Sequence, residues 1–215
     1  MSQSPSTMDA RTKLLESALR VIRARGYTAT SVDAICAAAG VTKGAFFHHF
    51  TSKDALGVAA AEYWSTVTGA VFAAASYYDH TDPLDRVLAY LAFRTALLQG
   101  DIADFTCLVG TMVQETYATI PALRAACERS ITDHAQTLEA DIAAAMRARN
   151  MTPGWSATSL ALHIQAVIQG AFILAKATGG AEIAADSIDH LYRYIELLFG
   201  VEPRPATTGQ QEGHP

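Results

Sequence analysis

The sequence predicts an all-α protein, and three observations predict it. Strand signals are nearly absent. Alanine is abundant, and apolar residues recur at helical spacing, as in the stripes Leu15, Ala18, Leu19, Ile22 and Ile188, Leu191, Tyr192, Ile195, Leu198, Phe199. All seven prolines can sit in the tails or at helix starts, and glycines stand where helices should stop.

Taken in order, about nine helices follow. The first is expected over residues 9–25, ended by Gly26. Thr30 and Asp33 fit a capping box, with Asp in the usual Glu position, opening a short helix over 31–38. Val32, Ile35 and Ala39 point inward along it. Gly40 supplies a left-handed position for a tight turn, with Val41 plugging the core beneath. Thr42 caps a second short helix, 42–48, whose Phe46 and Phe50 lie four apart on one core face.

A long helix over 52–76 follows. Asp82-Pro83 opens 83–99, ended by Gly100. Next come 102–117 and, opened by Pro121, 121–149. Thr152-Pro153 reads as the start of 153–178, which Gly179-Gly180 ends before a last helix at 184–199. Residues 1–8 and 201–215 read as flexible tails. There is no internal repeat.

The 215 residues are 50 % hydrophobic, enough for a substantial core. The formal charge of −5 is unevenly spread. Residues 8–56 hold seven basic and four acidic side chains, a net +3, and the remainder is at −8. A basic part on an acidic body suits one face meant for phosphate. Three cysteines (Cys36, Cys107, Cys127), no C-x-x-C and no signal-peptide-like apolar run point to a reduced, cytoplasmic setting. The most apolar helix, near 157–178, is interrupted by His163, Gln165, Gln169 and Lys176, which argues against a membrane span. There is no nucleophile elbow, phosphate loop or H-E-x-x-H, and the Asp-His pairs at 79–80, 133–134 and 189–190 are chain neighbours that do not converge on a metal. No catalysis, metal or cofactor is expected.

Two short helices joined by a glycine turn form a helix-turn-helix, in which the first braces against the DNA backbone and the second lies in the major groove. The outward residues of the second are Lys43, Gly44, Ala45, Phe47 and His48. Lys43 suits guanine edges or phosphate. Gly44 and Ala45 allow close approach, and the Ala45 methyl can touch a thymine methyl.

The run V-T-K-G-A-F-F-H-H-F-T-S-K-D-A-L (41–56) resembles the signature of TetR/AcrR-family regulators, as does G-Y-T-A-T-S-V-D-A-I (26–35) before it. C-L-V-G at 107–110 and Q-G-A-F-I-L-A-K-A at 169–177 are similar to AcrR-type effector domains. The resemblance implies a three-helix DNA-binding domain, 9–51, and an effector-binding and dimerisation domain, 52–200. It implies that Thr30 and Ser31 meet phosphate, that Thr42, Lys43, Ala45, Phe47 and His48 face DNA, that His49 supports or contacts the backbone, and that Lys53 binds phosphate. The family usually has tyrosine where this chain has Phe47, so one hydroxyl contact is absent.

The body holds more apolar residues than one amphipathic layer needs. Ala157, Leu160, Ala161, Ile164, Ile168, Ala171, Phe172 and Ala175 form a stripe, while Leu162, Val167, Ile173 and Leu174 lie off it. A helix apolar on most sides is buried on most sides. The helices near 153–178 and 184–199 are therefore expected to pair with their copies in a homodimer. Tyr63, Trp64, Phe93, Phe105, Cys107, Met112, Gln114, Trp155, His163, Gln165, Gln169 and Phe172 are candidates for an apolar small-molecule pocket.

The expected function is a ligand-responsive transcriptional regulator, a repressor released from double-stranded operator DNA by a small, largely apolar effector. The alternative is a helical carrier of a hydrophobic molecule without sequence-specific DNA binding.

Overall fold

The computed structural model describes residues 9–202. The expected tails lie outside them, except for Val201 and Glu202. Among the described residues the chain is helical throughout, with ten α-helices and one 3-10 turn: α1 Ala10–Arg25, α2 Val32–Ala39, α3 Lys43–His49, α4 Lys53–Ala73, the 3-10 turn Ser76–Asp79, α5 Pro83–Ala96, α6 Ile102–Phe105, α7 Leu108–Thr116, α8 Pro121–Ala148, α9 Ala157–Thr178 and α10 Glu182–Leu198.

Most helix ends fall where the sequence puts them. Asp82 accepts the Leu84 N–H at 2.7 Å ahead of Pro83, and Pro121 opens α8. Gly40 is left-handed at φ 63°, and the Val41 and Gly40 N–H groups return to the carbonyls of Cys36 and Ala37. These paired bonds form a Schellman motif, which fixes the angle between α2 and α3.

Two expected elements differ. The helix expected at 102–117 is broken, because Thr106 and Cys107 are extended. Asp101 and Asp104 exchange capping bonds that close α6 as a single turn, and the Cys107 thiol caps α7 by accepting the Gly110 N–H at 3.4 Å. Pro153 does not open the next helix. Ser156 and Ser159 exchange capping bonds at 3.1 Å, so α9 starts at Ala157. A reciprocal cap satisfies two orphan N–H groups, and Pro153 satisfies none.

Two buried clusters organise the molecule. One joins α1–α3 to the first half of α4, α7 and the start of α8, through Leu15, Ile22, Ile35, Phe46, Leu56, Met112 and Leu123. The other joins the end of α4 to α5, α8, α9 and α10, through Phe72, Tyr90, Leu91, Ile142, Ile164, Ile168 and Ile188. Among the described residues α9 is the one helix long and apolar enough to cross a membrane by length and composition. One of its faces is at the centre of this second core.

Candidate functional site

The α3 helix is held at both ends and presents its middle. Phe46 is fully buried and Phe50 nearly so, their rings 5.7 Å apart. Phe47 lies edge-on to Phe46 and is 52 % exposed. Thr42, Lys43, Gly44 and His48 are exposed, and Ala45 and His49 are half-buried. Nothing inside the protein requires a glycine at 44, since a Cβ there would meet only Thr42 Oγ1 at 3.8 Å. Glycine in a helix interior costs about 0.5–1 kcal/mol relative to alanine, so its use here favours close approach from outside. Thr42 Oγ1 accepts the Ala45 N–H at 3.1 Å, and Ser31 Oγ accepts the Ala34 N–H at 3.1 Å. Both hydroxyl protons stay free to donate to a phosphate. Lys43 pairs with Asp33 at 2.9 Å, both side chains being largely exposed.

Two residues expected at phosphate are engaged inside the protein. Thr30 is buried, and its hydroxyl donates to the Gly26 carbonyl at 2.6 Å. Ser31 caps α2 in its place. The Lys53 ammonium lies 4.4 Å from the centre of the Tyr27 ring and donates to the carbonyls of Tyr27 and Thr30, each at 3.0 Å. It ties the start of α4 to the α1–α2 turn.

That turn is clamped from the other side by α7. Glu115 accepts the N–H groups of Tyr27 at 3.0 Å and Thr28 at 2.7 Å. Burial pushes the Glu115 carboxyl up, but these donors outweigh it and hold it below the usual carboxylate range. The Tyr27 hydroxyl donates to Asp54 at 2.6 Å.

Beneath the clamp, between α4, α5, α7, α8 and α9, lies a cavity of about 260 Å³. Trp64, Val71, Phe72, Leu97, Phe105, Val109, Ile131 and Phe172 give it apolar walls. Its polar groups include Arg23, Thr68, Arg94, Cys107, His134, Gln165 and Gln169. Gln165 donates to the Tyr90 hydroxyl at 3.4 Å, which leaves that hydroxyl's proton for His134 Nε2 at 2.9 Å. Burial, then the Arg94 charge, lower the His134 pKa to about 4, so its ring is neutral. An open cleft shares Arg23, Phe105, Cys107, Gln169 and Phe172 with the cavity and leads to the surface beside Lys176. Burial lowers the Lys176 pKa, against the opposing pull of Cys107 and Glu115.

Residues 14–60 match the bacterial regulatory proteins of the tetR family, and residues 83–191 match the tetracyclin repressor-like C-terminal domain. The second match alone covers half the chain. The chain belongs to the TetR family. Over 52 residues, 24 % of this TetR-family chain and 18 % of the relative, it is 36 % identical to the uncharacterized HTH-type transcriptional regulator YerO of Bacillus subtilis. Over 123 residues, 57 % of the chain and 56 % of the relative, it is 29 % identical to the transcriptional regulator AcuR of Cereibacter sphaeroides. The chain thus spans about half the length of AcuR and a fifth of YerO. The fold matches a cysteine mutant of the TetR-family regulator CifR solved with 26-base-pair operator DNA, at TM-score 0.72 and 19 % identity over 88 % of this chain and 98 % of that one. TetR-family proteins are transcriptional regulators that bind operator DNA.

Of the pocket residues expected in this TetR-family body, Trp64, Phe105, Cys107, Gln165, Gln169 and Phe172 line the cavity. The other six do not. Tyr63 turns toward α1 and donates to Glu16 at 3.3 Å. Met112 is fully buried in the cluster around α1–α3. Phe93 stands against Phe72 and Tyr77 without lining the cavity. Gln114 lines the outer cleft and donates to the Gly110 carbonyl. Trp155 packs on Phe199, and His163 is exposed on the outer face of α9 against Tyr194. Sequence reasoning missed Arg23, Arg94 and His134. The only local signal was a charged or titratable residue among apolar helix neighbours.

Proposed function

We propose that this TetR-family protein is a dimeric repressor that leaves its operator when a small, largely apolar effector fills the interior cavity. One observation carries the reading: Arg23, on α1 of the DNA-binding head, is part of the cavity wall. Its guanidinium lies 5.0 Å from the centre of the Trp64 ring and donates to the carbonyls of Leu19 at 3.0 Å and Asp104 at 2.8 Å. A ligand seated there touches the head, α4 and α6 at once. A ligand shifts an equilibrium only by its differential affinity for two states. Here it would prefer the packing that moves α1 and α4, and with them α3.

In this reading Ser31, Thr42, Lys43, Gly44, Ala45, Phe47, His48 and His49 form the DNA face. Residues 9–51 act as its head and 52–200 as the effector and dimer part. The protein works in the cytoplasm. Leu162, Ile173 and Leu174 of α9 and Tyr194 and Leu197 of α10 are exposed apolar residues, which supports pairing of these two helices with their copies.

The test is a gel shift with genomic fragments, including DNA upstream of its own gene, at about 100 mM salt. Sequence-selective binding is expected. Phe47→Ala should weaken it at least tenfold with unchanged thermal stability, because the side chain is half exposed. No selective binding to any fragment would sink the proposal in favour of a carrier without DNA specificity.

A further inference from the structure

Five arginines are half-buried among the described residues: Arg23, Arg86, Arg94, Arg149 and Arg193. Four have oxygen acceptors. Arg23 donates to two carbonyls, and Arg86, Arg149 and Arg193 pair with Asp141, Asp82 and Asp189. Arg94 has none. Its guanidinium lies 5.4 Å from the centre of the Phe72 ring and 5.5 Å from that of Phe172, both in the cavity wall. Ring faces balance part of its charge but satisfy none of its five N–H donors. Its nitrogens are not shut off from solvent, so these donors stand open to a ligand that enters the cavity.

The other groups facing the cavity do not occupy these donors. His134 is neutral, its Nε2 taken by the Tyr90 hydroxyl. Asp104 caps α6 by accepting the Asp101 N–H at 2.9 Å and is exposed. Arg23 and Arg94 against Asp104 leave one excess positive charge in the wall, inside a body whose net charge is negative.

We infer that the effector is an organic monoanion, a single carboxylate on a small apolar body, with the carboxylate held by Arg94. This rests on reading the cavity as the effector site. A guanidinium matches a carboxylate with two parallel N–H donors. Trp64, Val71, Leu97 and Ile131 offer the rest of the ligand only apolar surface. At about 260 Å³ the space lies just under the range of drug-sized sites, roughly 300–1,000 Å³. It suits an aryl or short alkyl acid.

The experiment is calorimetric titration of the full chain with benzoate and hexanoate, against their neutral isosteres benzamide and hexanamide and against benzyl alcohol. The acids should bind at least tenfold tighter than the amides and release operator DNA. Arg94→Met keeps the apolar stem and should abolish that preference, so that the acids bind no tighter than the amides. Arg94→Lys should recover part of the preference. Amides binding as tightly as acids, or Arg94→Met binding acids like wild type, would overturn the inference and leave the cavity reading intact. If acids, amides and the alcohol all fail to bind, the cavity reading falls, and this inference with it.

Discussion

Lys43 is the residue on which recognition can be measured most directly. In the free protein its ammonium is engaged by Asp33, 2.9 Å away, in an exposed pair. Such pairs contribute about 0.2–1 kcal/mol, so DNA can displace Asp33 readily. Asp33→Asn should tighten operator binding roughly two- to fivefold by removing the competitor and its charge, and should leave the melting temperature nearly unchanged. Fluorescence anisotropy at fixed salt measures this; weaker binding would mean that Asp33 itself orients Lys43 toward a base. Lys43→Ala should cost roughly 1–3 kcal/mol on the preferred site if Lys43 reads a base edge. Equal weakening on every sequence would assign it to phosphate alone.

At the scale of elements, α4 and α7 hold the α1–α2 turn from two sides, and the cavity lies beneath them. Glu115→Gln keeps the size of the α7 clamp and removes its charge. Its amide keeps one acceptor oxygen, so of the Tyr27 and Thr28 N–H bonds one loses its charge assistance and the other its acceptor, and stability should fall by about 1–2 kcal/mol. If the clamp carries the signal, ligand should also release DNA less completely. Unchanged release in an operator titration would locate the coupling in Arg23 instead. His134 gives a second test, on α8. Its folded pKa of about 4 lies below the ordinary 6.5. The unfolded chain therefore takes up this proton as pH falls below 6.5, and the folded chain does so only near 4. Stability contributed by the neutral ring is complete above 6.5 and is lost across that window, on the order of 3 kcal/mol in all. Denaturation at several pH values should show this slope in wild type and not in His134→Gln. Asp82 and Glu115, held below the usual carboxylate range, lose their contributions at lower pH. These elements also mark the limit of what was legible in the sequence. The α2–α3 pair was readable because caps, a left-handed glycine and alternating burial are local signals. The internal partners of Thr30 and Lys53 were not legible, because they are carbonyls at Gly26, Tyr27 and Thr30 that only the folded turn brings within reach. Arg94 and His134 were missed because a cavity is made by residues far apart in the chain, and local pattern cannot say which polar group in a helix faces inward.

At the scale of the whole molecule, α9 and α10 leave an apolar face uncovered. Leu197 is 64 % exposed, and Leu162, Ile173, Leu174 and Tyr194 stand between 42 and 48 %. Scattered exposed apolar residues are ordinary, but these share two adjacent helices that pack on each other. A two-fold axis through that face would bury it and set two α3 helices toward successive major grooves, about 34 Å apart. Dimerisation and operator affinity should then fail together. Leu174→Glu with Leu197→Glu places a carboxylate on each helix of the face without touching the core, so the monomer should stay folded by circular dichroism. Sedimentation equilibrium should show a single-chain mass for the variant and twice that mass for wild type. Operator binding should drop by at least a hundredfold, since one head alone keeps only one half-site. A variant that is still dimeric, or a monomer with wild-type affinity, would remove α9 and α10 from the interface and leave their apolar face to some other partner.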